Sequence, residues 1–374
     1  MKANPLQALA TFGQSIWFDF IRRGMLTSGE LARMIEHDGV SGITSNPAIF
    51  EKAINGSQDY DDAIRELATQ GKDKLEIYET LAMDDVRLAA DLFRNVYDRT
   101  GGRDGYVSLE VSPYLAQDAD ATVGEARRLW AAVDRPNIMI KVPGTLAGLA
   151  AIEQLIGEGI NVNVTLLFSL ERYRQSAAAY LAGLRSRVGR GEPVERVASV
   201  ASFFLSRIDT AVDPLLEAIV ASGGAQAQTA ASLLGQVAVA SGKVAYRMYG
   251  EIFEPTRFAD LAAQGAKTQR LLWASTSTKN PDYSDVMYVD PLVGPATVNT
   301  LPLETLNAYR DHGSPSARLE QDVAGAQKVL QTLSELGIDL AAVTQQLEDE
   351  GIQKFIDPFD RLLASLETHR VAAL

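Results

Sequence analysis

The 374-residue chain contains no cysteine. Disulfides, thiolate zinc sites, iron–sulfur clusters and thiol nucleophiles are thereby excluded together, which fits a reducing compartment. Histidine is scarce: His37, His312 and His369 are scattered among polar or helical-looking neighbours, so a histidine triad or a His-rich metal site has little to build with, and no metal is expected. Positive charge is also short, with 35 Lys and Arg against 48 Asp and Glu and a net charge of −13. That balance argues against a nucleic-acid or anionic-membrane surface, and any anionic substrate must be held by a local basic site. No stretch approaches the roughly 18 apolar residues of a membrane span, and the N-terminus has no sustained apolar run, so the sequence reads as a soluble, unprocessed, cytoplasmic protein. Internal repeats and low-complexity tracts are missing too.

What is present suffices for a large core: 46% of the residues are hydrophobic and 22% charged, well away from the composition of disorder. Short apolar runs alternate with stretches of helical periodicity, the rhythm of a parallel sheet wrapped by helices. Eight runs are found, Ser15–Phe18, Gly42–Thr44, Tyr106–Val111, Asn137–Val142, Ile160–Leu167, Val197–Phe204, Arg270–Ser275 and Met287–Val293. Eight βα units predict a closed (β/α)8 barrel, a TIM barrel of α/β class. Two intervals, about 51–105 and 209–269, are too long for one helix and read as helical insertions. The segment from about 315 to 374 reads as a C-terminal helical extension, with Leu319, Val323, Ala326, Leu330 and Leu333 at helical spacing. A single domain, 1–374, is the simplest division.

The most informative side chain is Lys141, in NIMIKVPGT. Alternation puts Ile138, Ile140 and Val142 on one strand face and Met139 with Lys141 on the other. In a closed barrel that second face lines the interior, where desolvation favours the neutral amine that attacks carbonyls to form a Schiff base. In INVNVTLL, Asn161, Asn163 and Thr165 share one face while Val162, Val164 and Leu166 turn to the surrounding helices. Ser108 and Glu110 likewise share a face of YVSLEV, and a carboxylate there is costly unless paired or hydrated. Asp19 closes the first run, and Ser45-Asn46-Pro47 follows the second, where a cap or turn is the simpler role for Ser45 and Asn46. Acids, amides and a lysine thus collect at strand C-terminal ends, where barrel enzymes keep their active sites. Together they favour a lysine-based carbonyl lyase or transferase.

These motifs resemble the transaldolases. The residues that carry the likeness are GITSNPAIF with Asn46, SLEV with Glu110, IMIKVPGT with Lys141, GINVNVTLLFS with Asn163 and Thr165, and SFFLSRID with Ser202, Phe204 and Arg207. Asp19 and LLWASTSTKNP extend it from about residue 13 to about residue 300, and the length is similar to a long bacterial subgroup. The resemblance implies a barrel like a circularly permuted class I aldolase, with Lys141 as the Schiff-base residue on the fourth strand and no cofactor. It implies transfer of a dihydroxyacetone unit from sedoheptulose 7-phosphate or fructose 6-phosphate to glyceraldehyde 3-phosphate or erythrose 4-phosphate, in the non-oxidative pentose phosphate pathway. By the same likeness Asp19 is the acid/base of carbon–carbon cleavage, and Glu110 and Thr165 hold a water that shuttles protons. Asn46 and Asn163 hold hydroxyls of the three-carbon unit, Ser202 lines that pocket, and Phe204 is an apolar wall beside the lysine.

The phosphate loop departs from the pattern. Many transaldolases carry a serine and, two residues later, an arginine after the seventh strand; here the loop reads Ser275-Thr276-Ser277-Thr278-Lys279. Arg207 is expected to grip the phosphate, with Ser275 beside it and Lys279 as a second charge without bidentate geometry. A fructose 6-phosphate aldolase, releasing free dihydroxyacetone, is the nearest rival. Those relatives typically carry Gln and Tyr where this chain has Glu110 and Phe204, and their chains are shorter. The other rival is a barrel that has lost catalysis and serves as a scaffold, which would have no need of the whole set of catalytic side chains. The oligomeric state is not written in these features.

Overall fold

A computed structural model describes residues 4–372. Eight strands pair in parallel, each with the next in sequence and the last with the first, into a closed barrel. The chain opens with α1 (Pro5–Leu9), β1 (Gln14–Phe18), α2 (Arg23–Thr27), α3 (Glu30–His37) and β2 (Val40–Ile43). The first long interval then holds three helices, α4 (Pro47–Asn55), α5 (Asp61–Thr69) and α6 (Lys74–Arg99), before β3 (Tyr106–Glu110). Regular βα units follow: α7 (Ala119–Val133), β4 (Ile138–Pro143), α8 (Leu146–Glu158), β5 (Val162–Leu167), α9 (Leu170–Gly189) and β6 (Ser199–Phe204). The second long interval carries α10 (Ser206–Ser222), α11 (Ala227–Ala231), α12 (Val237–Ile252) and α13 (Pro255–Ala263). After β7 (Arg270–Ala274) and β8 (Thr297–Leu301) come α14 (Leu303–His312), α15 (Val323–Glu335) and α16 (Leu340–Ala372). No described helix is long and apolar enough to cross a membrane.

Local chemistry sets the boundaries nearest the lysine strand. Thr145 caps α8 by accepting the Gly148 amide at 3.0 Å, and Gly159 ends the helix in the left-handed conformation. Gly148 is required for a second reason: a Cβ there would collide with the Pro143 carbonyl, so only glycine lets α8 settle onto the end of β4. The apolar core lies mainly between the outward faces of the strands and the helices, as with Ile138, Ile140 and Val142 of β4. The barrel's lower interior holds a polar plug, in which Arg270 meets Asp104 at 3.0 Å and donates to Ser15 at 2.8 Å, and Trp17 donates to Asp104 at 3.1 Å.

Two expectations need correction. The eighth strand is Thr297–Leu301, not Met287–Val293. Within the latter run Pro291 has no N–H to give to a ladder, and Asp290–Leu292 turns as a 3₁₀ helix with that proline in its first turn. The true strand, TVNTL, is polar because its hydroxyls and amide bond inside the protein, and apolar content alone does not mark it. Leu166 also departs from simple alternation. It has φ +59°, the β5–β6 register shifts between Val164 and Leu167, and its side chain meets α16 at Gly351 instead of the surrounding helices.

The long C-terminal helix packs across α4, α5, α6 and α10 and onto β5. Its buried residues, Thr344, Leu347, Glu348, Gly351, Phe355, Pro358, Phe359, Leu362 and Leu366, recur at helical spacing and form one face. Arg172 of α9 donates to both Glu348 oxygens, at 2.8 and 3.1 Å, a buried bidentate pair that fixes the helix lengthwise. Gly351 allows the close crossing, since a Cβ there would stand 3.0 Å from Leu166.

Candidate active site

Lys141 stands on β4 between Glu110 and Asn163, its register partners on β3 and β5. The residue is only 4% exposed. Its Nζ donates to the Ser45 carbonyl at 3.1 Å and lies 3.3 Å from Glu110 Oε2. The Phe355 ring covers the same nitrogen, with its centroid 5.6 Å away. The amine therefore faces one carbonyl, one carboxylate and one aromatic face and is largely screened from water.

Burial pushes the Glu110 carboxyl up to about 7, with Lys141 pulling the other way. Neither Glu110 oxygen has a well-aligned hydrogen bond, and the buried Thr165 hydroxyl is unpartnered as well. A carboxyl poised near neutrality beside an amine can give and take a proton. Asp19, just past β1, accepts from Thr44 Oγ1 at 2.6 Å, and Thr44 in turn meets Thr300 at 2.8 Å. Burial raises Asp19 too, opposed by Lys141 and by the Thr44 hydrogen bond. Two carboxyls thus flank one lysine, each held back from ionisation by desolvation.

Of the residues expected from sequence, Asp19, Asn46, Lys141, Ser202, Phe204, Arg207, Ser275 and Lys279 line a single cleft of about 420 Å³. Glu110 and Asn163 are buried at the register positions on either side of Lys141, Thr165 is buried two residues beyond Asn163 on β5, and none of the three is part of that lining. Asn46 caps α4 by accepting the Ile49 amide at 3.0 Å, so the capping role and a place on the cleft wall coexist. Asn163 is engaged within the protein: it donates to Ser108 Oγ at 3.0 Å and accepts from Ser202 Oγ at 2.6 Å. The amide thereby orients Ser202, which faces the cleft.

The far end of the cleft is cationic. Arg207, in the first turn of α10, stacks over Phe204 at 5.4 Å and has an unpartnered buried Nη1. Burial lowers its affinity for the proton, while Glu350, Asp19 and Glu110 raise it. Ser275, at φ +53°, places its hydroxyl 2.8 Å from Ser206 Oγ at the start of the same helix. Arg207 and Ser275 both line the cleft beside the start of α10, a guanidinium and a hydroxyl of the kind that suits an anion. Lys279 reaches the rim and donates to Ser277. Burial draws its ammonium down, against Glu304, and Arg207 and Lys52 act in the same direction as burial.

Sequence reasoning missed Lys52, Thr44, Ser277 and Phe355 on this wall. Lys52 was accessible in principle, because it follows Ala48 by four residues on a helix that Asn46 starts. Phe355 carried no signal: it sits in the C-terminal helix, outside every recognisable motif. The three histidines are exposed and away from the cleft. Among the described residues no group of His, Cys, Asp and Glu has a metal-holding arrangement.

Comparison with known proteins bears on this geometry directly. The family model described as Transaldolase/Fructose-6-phosphate aldolase matches residues 16–366. Transaldolase 2 of Nostoc sp. (strain PCC 7120) is 49% identical over 372 residues, with 98% of each chain covered. The transaldolase of Thiobacillus denitrificans is 48% identical over 363 residues, covering 97% of this chain and 99% of that one. That of Mycolicibacterium smegmatis is 45% identical over 375 residues, at full coverage of both.

Proposed function

The chain belongs to the transaldolase/fructose-6-phosphate aldolase family, and from that premise we propose that Lys141 is the Schiff-base residue of its reaction. It is a transaldolase, a transferase that moves a dihydroxyacetone unit through a lysine imine. Sedoheptulose 7-phosphate or fructose 6-phosphate donates the unit, and glyceraldehyde 3-phosphate or erythrose 4-phosphate accepts it, the non-oxidative pentose phosphate exchange. Cytoplasmic residence and a single domain over residues 1–374 belong to the same reading.

The observation that carries the lysine assignment is a desolvated amine on the cleft wall, 3.3 Å from a carboxyl that is raised to about 7. Attack of Nζ on the donor ketone gives a carbinolamine, and loss of water gives the protonated imine. In this reading Glu110 and Thr165 share the water that moves protons at that step, the Thr165 hydroxyl and Glu110 Oε1 having no bonding partner within the protein. Asp19 takes the proton from the donor hydroxyl as the bond between the third and fourth carbons breaks, the imine accepting the electron pair to leave an enamine. Its raised affinity for protons suits a group that must hold one through the cleavage and return it to the acceptor's alkoxide. Asn46 and Ser202 hold the three-carbon unit, with Asn163 behind Ser202. Arg207, Ser275 and Lys279 hold the phosphate at the cationic end.

Borohydride reduction in the presence of fructose 6-phosphate, followed by peptide mass analysis, tests the assignment. A three-carbon adduct on Lys141 is expected, and none in Lys141→Arg, because a guanidinium cannot act as the amine. Normal turnover by Lys141→Arg refutes the reading.

A further inference from the structure

The family name joins two fates of one intermediate, transfer and simple aldol cleavage. The strands set Phe204 on the cleft wall, and the C-terminal helix adds a second apolar face at the lysine. Around Nζ, the strand side is occupied by Glu110 and the β2–α4 turn by the Ser45 carbonyl. A further neighbour comes from the C-terminal helix: Phe355, 4% exposed and facing the nitrogen at 5.6 Å.

We propose that Phe355 is a specificity-determining residue that keeps proton-donating water off the Lys141 enamine and so commits it to transfer. The inference rests on Lys141 being the Schiff-base residue. In transfer, the enamine carbon attacks the acceptor aldehyde, a carbon–carbon bond forms, the aldehyde oxygen takes up a proton, and water then hydrolyses the new imine to free the product and Lys141. In the competing route the same carbon takes a proton to give the iminium. One water then adds to the imine carbon, the carbon–nitrogen bond breaks, and dihydroxyacetone leaves with Lys141 restored as the free amine. Both routes end in hydrolysis of an imine and differ in what the enamine carbon takes up, an aldehyde or a proton, so a ring that keeps proton-donating water off the enamine slows the second route selectively.

Packing holds the ring in place. One turn further along α16, Phe359 packs edge-on against Tyr78 at 5.2 Å and Tyr114 at 5.8 Å, and Asp360 accepts from Tyr114. One turn before, Gly351 brings the helix down on Leu166, and the buried Arg172–Glu348 pair pins it. A phenylalanine serving only as filler would be surrounded by apolar carbon. This one faces the reacting nitrogen and lines the cleft with Asp19, Phe204 and Arg207.

The test compares full-length wild type, Phe355→Ala and Phe355→Leu with fructose 6-phosphate. Two rates are measured for each: dihydroxyacetone release without acceptor, and transfer to an aldehyde acceptor. Their ratio is taken within one preparation, so it does not depend on the fraction that folds. The ratio is expected to rise roughly tenfold in Phe355→Ala and about threefold in Phe355→Leu, with the borohydride adduct still on Lys141. Release and transfer that fall together, leaving both ratios within about twofold of wild type, overturn the proposal; where Phe355→Ala is too unstable to assay, the Phe355→Leu ratio decides. An adduct on another residue in the wild type overturns the lysine assignment instead, so the two failures are distinct.

Discussion

Replacing Glu110 by glutamine keeps the side chain's shape and removes its charge, which isolates the energetic cost of a carboxylate at the heart of the barrel. Burial lifts this group from its ordinary 4.5 to about 7, against the pull of Lys141. Between those two values the native protein binds more protons than the unfolded chain, so stability falls as pH rises through the window. At about 1.4 kcal/mol for each pKa unit, the carboxylate costs the fold on the order of 3 kcal/mol once fully ionised. Glutamine cannot titrate and lacks this slope. Asp19 is raised by burial in both proteins, and its contribution largely cancels in the difference. Urea midpoints measured from about pH 5 to about pH 8 should show Glu110→Gln gaining on wild type by up to about 3 kcal/mol as pH rises. In the same variant the approach to the covalent species should slow, and the ionisation near 7 should vanish from its pH profile. Parallel stability curves, or an unchanged pH profile, would refute the reasoning.

Arg207→Ala removes the guanidinium at the start of α10 and is expected to lose about 1.5–3 kcal/mol of phosphate binding, roughly ten- to hundredfold in KM for fructose 6-phosphate. Unphosphorylated dihydroxyacetone as donor should be nearly unaffected, and Lys279→Ala should show the same split more weakly. Equal loss with both donors assigns the residue to the chemical step or the scaffold. Asp104→Ala leaves Arg270 buried without its partner below the site and should cost about 3–5 kcal/mol, read as a lowered thermal midpoint. Burial acts to raise the Asp104 carboxyl, but Arg270, Ser15 and Trp17 outweigh it and hold it low. Its contribution is therefore present above the ordinary carboxylate range and fades as pH falls through the lowered value, a dependence the variant should lack.

The positions of Lys141 and Glu110 were legible because strand alternation is a local property, and that of Asp19 because it closes the first strand run. A lysine one residue from Ile140 and Val142 takes the opposite face wherever the strand goes, and eight βα units leave that face pointing inward. Helices filling the two long intervals were legible for the same reason. Other features answer to distant partners. TVNTL is a strand because its ladders to β1 and β7 close the ring, whereas the more apolar Met287–Val293 is stopped by a proline. Leu166 leaves the alternation because a register shift turns it toward a helix nearly two hundred residues later in the chain, and Asn163 is bonded by serines from β6 beside it and β3 two strands away. Phe355 is the extreme case. Its helical periodicity says only that it is buried, and which surface covers it depends on how α16 is pinned across the barrel mouth by Arg172, Gly351 and the Phe359 contacts. Period and parity are fixed by neighbours along the chain; what stands opposite a side chain is fixed by long-range packing, and that is why the lysine could be read from the sequence and the ring over it could not.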